Sequence, residues 1–230
     1  MADLAFGIAA CAATGLEPGT IDGPAPAADR PAVPVMLRRR VSPIGQAALR
    51  AAWALPFDRN PRLVFASRHG EFDRTLTMLQ QVAKDDGPSP ADFSLGVHNA
   101  LAGLLSVATR NRGGHTALAA GIDSFGFGLM EAAATLIEQP DEPVMLVYYD
   151  AALPPGYPDT TQGPPQAPLA LALLLVPPPL APRRVVMTAT PLPAPEPTDT
   201  AATVFLRFLL SGAPAASAAG ERMRWDWRHV

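Results

Sequence analysis

His115-Thr-Ala-Leu-Ala-Ala-Gly-Ile-Asp-Ser-Phe-Gly-Phe-Gly-Leu-Met-Glu-Ala132 decides the fold. His115 to Ala119 has the length of a short strand. Ala120 to Ser124 makes a tight turn around Gly121. Phe125 to Glu138 then runs as a helix until Pro140 stops it. Downstream, Pro143-Val-Met-Leu-Val-Tyr-Tyr149 is an unbroken apolar run, the mark of a buried strand. Upstream, Ala100 to Thr109 is a helix of small residues, closed by Gly113-Gly114. Ser89-Pro90-Ala91-Asp92 starts another helix, with a serine cap, proline in first position and an acid in the first turn. Glu71 to Lys84 has helical periodicity, with Phe72, Leu76, Leu79 and Ala83 on one face. Arg62 to Ser67 is a short buried strand. This βαβαβ rhythm predicts an α/β fold: a mostly parallel central sheet with helices on both faces.

The flanks differ. Leu4 to Cys11 reads as a buried strand. Fifteen of the 27 prolines fall after residue 150, so the last third is broken into short pieces. Within it, Leu169 to Val176 and Arg184 to Thr188 read as strands and Thr200 to Leu210 as a helix. Arg222-Met-Arg-Trp-Asp-Trp-Arg228 alternates strictly, with Met223, Trp225 and Trp227 on one face, as in a half-buried antiparallel strand. The expectation is one domain over residues 1–230, with a motif core at 60–150 and a proline-rich, antiparallel C-terminal extension at 151–230.

Composition narrows the function. A net charge of −3 gives no reason to expect nucleic acid. Only 17% of residues are charged, a surface poor enough to suit cover by another subunit. One cysteine, Cys11, permits no internal disulfide, and four histidines without ligand spacing predict no metal and no cofactor. Met1 to Ala13 lacks the basic start of a signal peptide, and Leu169 to Val176 is too short to span a bilayer, so a cytoplasmic chain with no membrane span is expected.

Individual residues carry competing readings. Cys11, in an apolar run with no nearby cation, reads as a small buried hydrophobe. Ser124 lies at a strand-to-helix turn like that of a nucleophile elbow, but Ile122 replaces the first glycine of G-x-S-x-G. The alternative is a helix cap, with Asp123 or Ser124 accepting backbone N–H groups. His98, beside Asn99, reads as a hydrogen-bonded core histidine rather than a base, His69 and His115 as surface or loop residues, and His229 as lying at the frayed end. Arg38-Arg39-Arg40 is a basic run in an acidic chain, either a solvated face or a dock for an acidic partner.

The segment from Ser89 to Asp150 resembles the N-terminal half of β-ketoacyl-acyl-carrier-protein synthases, which have the thiolase fold. The likeness is carried by Ser89-Pro90, Val97-His98-Asn99, Ala102-Gly103, Arg112-Gly113-Gly114, Thr116 to Ala119, and Gly121 to Ala132 at the elbow. Val97 to Ala100 and Ala120 to Phe125 resemble most the short, divergent synthase-like proteins of aryl polyene gene clusters, which are similar to chain-length factors. The resemblance implies that Ile122 stands where the family has its cysteine, and an alkyl group attacks no thioester. It implies a non-catalytic subunit paired with an active ketosynthase, which supplies the chemistry, and an acyl carrier protein as further partner. Pairing would run through the edge strand at Thr116 and Leu118. Phe93 and Leu95 would reach across the interface, with Phe125 and Phe127 beside the elbow, although each could be ordinary packing. Arg38, Arg39 and Arg40 would help attract the carrier protein. The alternative is a stand-alone acyltransferase or hydrolase using Ser124.

Overall fold

Fully apolar strands form the middle of the molecule because both of their faces are covered. A computed structural model describes residues 3–14, 33–56, 59–157, 167–194 and 199–230. In chain order the elements are β1 (Leu4–Thr14), α1 (Val35–Arg38), α2 (Pro43–Trp53), β2 (Arg62–Ala66), α3 (Phe72–Val82), α4 (Pro90–Gly96), α5 (Ala100–Thr109) and β3 (His115–Leu118). They continue with α6 (Ser124–Glu138), β4 (Val144–Asp150), β5 (Leu169–Val176), β6 (Arg183–Pro191), α7 (Ala201–Ser211), β7 (Ala215–Ala219) and β8 (Met223–His229). The strands form one sheet in the order β3-β2-β4-β5-β1-β6-β8-β7.

Every residue of β4 and β5 is buried, as their apolar runs require, and Asp150 at the end of β4 is buried with them. One sheet face packs on α6 and α7 through Phe125, Leu129, Phe205, Trp225 and Trp227. The other packs on α2 and α5 through Leu49, Trp53, Leu101, Leu105 and Tyr149. Helices thus cover both faces, as expected. The strict alternation of β8 puts Trp225 and Trp227 inside and leaves Arg224 and Arg228 exposed.

The α/β fold and its antiparallel C-terminal strands are as expected, but the sheet as a whole is mixed, with fewer parallel pairings than the expected mostly parallel centre. Only β2–β3 and β2–β4 pair in parallel. The pairings β4–β5, β5–β1, β1–β6, β6–β8 and β8–β7 are antiparallel. The βαβαβ rhythm describes the segment that produced it, and the parallel pairing stops at β4. There β5 returns beside β4 with no helix between them among the described residues. Strand β1 then inserts between β5 and β6, so N-terminal and C-terminal strands alternate in the sheet. The segment expected as an extension, 151–230, supplies four of its eight strands.

Three elements were not foreseen: the short helix α1, helix α2 and strand β7. Helix α2 starts at Ser42, whose hydroxyl accepts from Gly45 N, with Pro43 in the first turn. Strand β7 is a run of alanines and one serine with no pattern of its own, and its pairing with β8 holds it. Cys11 is buried as expected, but Arg183 Nη1 lies 3.8 Å from its sulfur, a cation the local sequence does not reveal.

Candidate functional site: the β3–α6 elbow and its surroundings

The turn between β3 and α6 is held by backbone and side chain together. Gly121 has φ of 61°, the left-handed region that glycine occupies without strain. The Ser124 hydroxyl donates to the Gly121 carbonyl at 2.7 Å and accepts from Ala120 N at 2.9 Å. Ser124 is 1% exposed. Its oxygen therefore ties the turn to itself, and among the described residues no general base bonds to it. Ile122, half-buried, stands two residues before it at the turn.

Asp123 makes no cap to its own helix, contrary to that expectation. Its carboxylate instead reaches the C-terminal hairpin. Trp225 Nε1 donates to Oδ1 at 2.9 Å and Arg222 N donates to Oδ2 at 2.9 Å. A Cβ at Gly220 would lie 1.8 Å from Oδ1, so the hairpin can approach this closely only with glycine there. Arg222 also donates through Nη2 to the Ala120 carbonyl at 3.1 Å and lies over the Phe127 ring. A buried carboxylate is tolerable because both oxygens accept hydrogen bonds. Sequence reading missed Asp123, Gly220 and Arg222 as one unit; only the alternation around Trp225 hinted at it.

Phe125 points into the core against Tyr148, Phe205 and Trp227. It is buried, and within this chain it packs in the aromatic core. Phe127 lies half-buried against Trp225. With Leu118, Ala119, Met130, Ala134 and Arg222 it lines a groove of about 520 Å³ along the end of β3 and the outer side of α6.

Strand β3 is one edge of the sheet. Leu63 N and Ser67 N donate to the carbonyls of Gly114 and Leu118. The backbone groups of Thr116 and Leu118 thus face β2, and those of His115, Ala117 and Ala119 face outward. The Thr116 hydroxyl accepts from Arg62 Nη2 at 3.4 Å. His98 Nε2 donates to the Leu118 carbonyl at 2.9 Å, the hydrogen-bonded role expected of it.

A second polar group gathers where β2 and β4 end. Glu71, buried, accepts from Ser42 N and Ser42 Oγ, both at 2.8 Å, and so closes the start of α2. Burial pushes the Asp150 carboxyl up to about 7, against the opposing charge of Arg68 and hydrogen bonds from Ala151, His69 and Tyr148. The Tyr149 phenol is raised by burial and by the charges of Glu71 and Asp150.

The other expected residues lie apart from the elbow. Phe93 on α4 is 63% exposed. Leu95, Arg39 and Arg40 line a larger groove of about 800 Å³. Arg38 ends α1, and all three arginines are exposed. Among the described residues no group of three or more histidine, cysteine or acidic side chains could hold a metal, and no helix is long and apolar enough to cross a membrane.

Comparison with known proteins fits this architecture. The family described as beta-ketoacyl synthase, N-terminal domain, matches residues 16–228, and the chain belongs to it. A chain in the structure of a ketosynthase (ApeO) in complex with its chain length factor (ApeC) from Xenorhabdus doucetiae is similar at 28% identity and a TM-score of 0.80. The match covers 98% of this chain and 99% of that one, so the two have nearly the same length. A chain from a type II polyketide acyl-carrier protein bound to its ketosynthase, AntDE:AntF, shares the fold at 12% identity and a TM-score of 0.53, over 84% of this chain and 71% of that one. No curated protein matches. The fold is thiolase-like α/β.

Proposed function

We propose that this member of the β-ketoacyl synthase family is a non-catalytic, chain-length-factor-type subunit that pairs with an active ketosynthase and shapes its acyl tunnel. The observation that carries the reading is the elbow. Ile122 holds the position at which the resemblance puts the family's cysteine, and Ser124 Oγ is buried and bonded twice to backbone. Nothing in this turn can attack a thioester. The same bonding removes the support for a stand-alone acyltransferase or hydrolase using Ser124. Similarity over nearly full length to a chain from a ketosynthase and chain-length-factor complex supports the pairing.

The partner's strand would pair along the outward backbone of β3, which otherwise leaves a sheet edge unprotected. Thr116, Leu118 and Phe127 border that edge, and exposed Phe93 with Leu95 extends the contact from α4. Arg38, Arg39 and Arg40 would attract the acidic acyl carrier protein. The setting is an aryl-polyene-type system in the cytoplasm, where a lone thiol stays reduced.

The test of inertness is incubation of the purified chain with an acyl-carrier-protein thioester, followed by intact-mass spectrometry. The expected result is no covalent adduct. An acyl group on Ser124 or Cys11 would overturn the reading.

A further inference from the structure

Residues 72–99 include no buried residue, although they carry two helices, α3 and α4. Apolar burial is the main force that fixes an element to a core, so this segment is held by something else. Its two helices hold each other. Arg74 Nη1 donates to Asp92 Oδ1 at 3.0 Å, and Met78 of α3 lies over Gly96 of α4, where a Cβ would stand 2.4 Å from Met78 Cε. Its two ends also meet. Gly70 has φ of 61° and its N–H donates to Ser67 Oγ at 2.7 Å, while a Cβ there would stand 2.9 Å from His98 Nδ1. The segment is therefore a loop of chain closed at a neck beside the end of the sheet. It can move without parting the strands.

Beyond the neck, few contacts tie the segment to the body. The Phe72 and Tyr157 rings meet edge to face at 4.8 Å, and Arg74 Nη2 donates to the Arg40 carbonyl. The strongest tie is Glu71, just before α3, whose side chain caps nothing in its own helix. Its carboxylate reaches the start of α2 instead, where it accepts from Ser42 N and Ser42 Oγ, each at 2.8 Å. A helix N-terminus favours negative charge, and hydrogen bonds to a charged group are stronger than neutral ones. Gly45 makes the room: a Cβ there would stand 2.3 Å from Glu71 Oε1. Glycine inside a helix weakens it, and admitting Glu71 accounts for its presence. Helix α2 is itself fixed to the sheet, with Ala48, Leu49 and Ala52 buried. Its first turn is thus a receptor for a carboxylate carried by another element.

We propose that residues 70–98 form a flap that opens as one unit and is latched shut by Glu71 in the Ser42–Gly45 turn. Phe93 and Leu95 ride on the flap, so the latch sets whether they stand in place for a partner. That consequence rests on the reading above, which gives those two residues to the ketosynthase; the latch itself does not.

The experiment is hydrogen exchange of the full chain without a partner, read by mass spectrometry for wild type, Glu71→Ala, Gly45→Ala and Thr77→Ala. In wild type, the amides of α3 and α4 should exchange together, ahead of those of α2 and β4. Glu71→Ala should speed both helices by one common factor of about tenfold or more, with β4 and α6 unchanged. Gly45→Ala should also speed both, because the added methyl expels the carboxylate. It should leave α2 at least as protected as before, since alanine favours a helix. This opposite response of the two regions keeps the test decisive even if Glu71→Ala folds poorly. Thr77→Ala, whose hydroxyl bonds only to the Asp73 carbonyl within α3, should change exchange by less than about twofold. Factors that differ between α3 and α4, or acceleration spread equally over the whole chain, overturn the proposal. So does exchange that Gly45→Ala leaves unaltered. Added ketosynthase should slow α3 together with α4. If the ketosynthase never associates, the pairing falls, and the exchange of the free chain still decides the latch.

Discussion

Helix α6 buries eight of its fifteen residues, whereas α3 and α4 bury none. Helix α6 is welded to the sheet. Gly128 lets it approach Ala66, Gly126 lets Trp225 lie flat on it, and Phe125 anchors an aromatic cluster. The α3–α4 layer is attached by polar links instead: Glu71 to Ser42, Arg74 to Asp92 and the Arg40 carbonyl, and His98 to the Leu118 carbonyl. It keeps Leu79, Val82, Phe93 and Val97 exposed. The elbow side holds the fold together, and the α3–α4 side offers apolar surface to something else.

The sharpest way to break this contrast is Phe125→Ala. Emptying a fully buried aromatic site should cost about 3–5 kcal/mol, read from urea unfolding. Next is Asp123→Ala, which strands Trp225 Nε1 and Arg222 N at the hairpin. Loss of hydrogen bonds to a buried carboxylate should cost about 3 kcal/mol and expose the hairpin amides to hydrogen exchange.

Asp150 gives a pH-dependent test on the sheet itself. Its folded pKa of about 7 lies above the ordinary carboxyl value. The folded state therefore holds the proton longer than the unfolded state does. That stability is full below about pH 4 and is lost as pH rises through about 7. Asp150→Asn, which stays neutral, should gain on the wild type over this window by up to about 1.4 kcal/mol per pH unit. A gap independent of pH would contradict the shift. The smallest stability effect belongs to Phe93→Ala: within about 0.5 kcal/mol, as for an exposed side chain, yet with a clear loss of affinity for the ketosynthase in a pull-down titration.

Much of this contrast was legible in the sequence, and the reasons it stopped are specific. The span of α5 and the inward tryptophans of β8 follow from local periodicity. Helix α2 carries the same Ser-Pro start as α4, but its alanine-rich body gives no clear period. Strand direction is not local at all: β1 sits between β5 and β6, more than 150 residues later in the chain, and nothing near Leu4 announces it. The site divides the same way. Ile122 at the elbow can be read from the motif, whereas Asp123 and Arg222 are 99 residues apart and meet only in the fold. The edge is a case where the structure changes the experiment. Read from sequence alone, a proline at Leu118 would block strand pairing, but the Leu118 backbone faces β2, so Ala117 is the residue whose N–H points at a partner strand.

That residue supplies the most direct test of the central claim. The chain and a ketosynthase are co-expressed, and the purified complex is sized by light scattering, for wild type and for Ala117→Pro, alongside thermal melts of the isolated chains. The account predicts a one-to-one heterodimer for wild type, and a folded Ala117→Pro chain that no longer co-purifies. A folded Ala117→Pro chain recovered with the ketosynthase at full yield, or a wild-type chain that never associates, would contradict it.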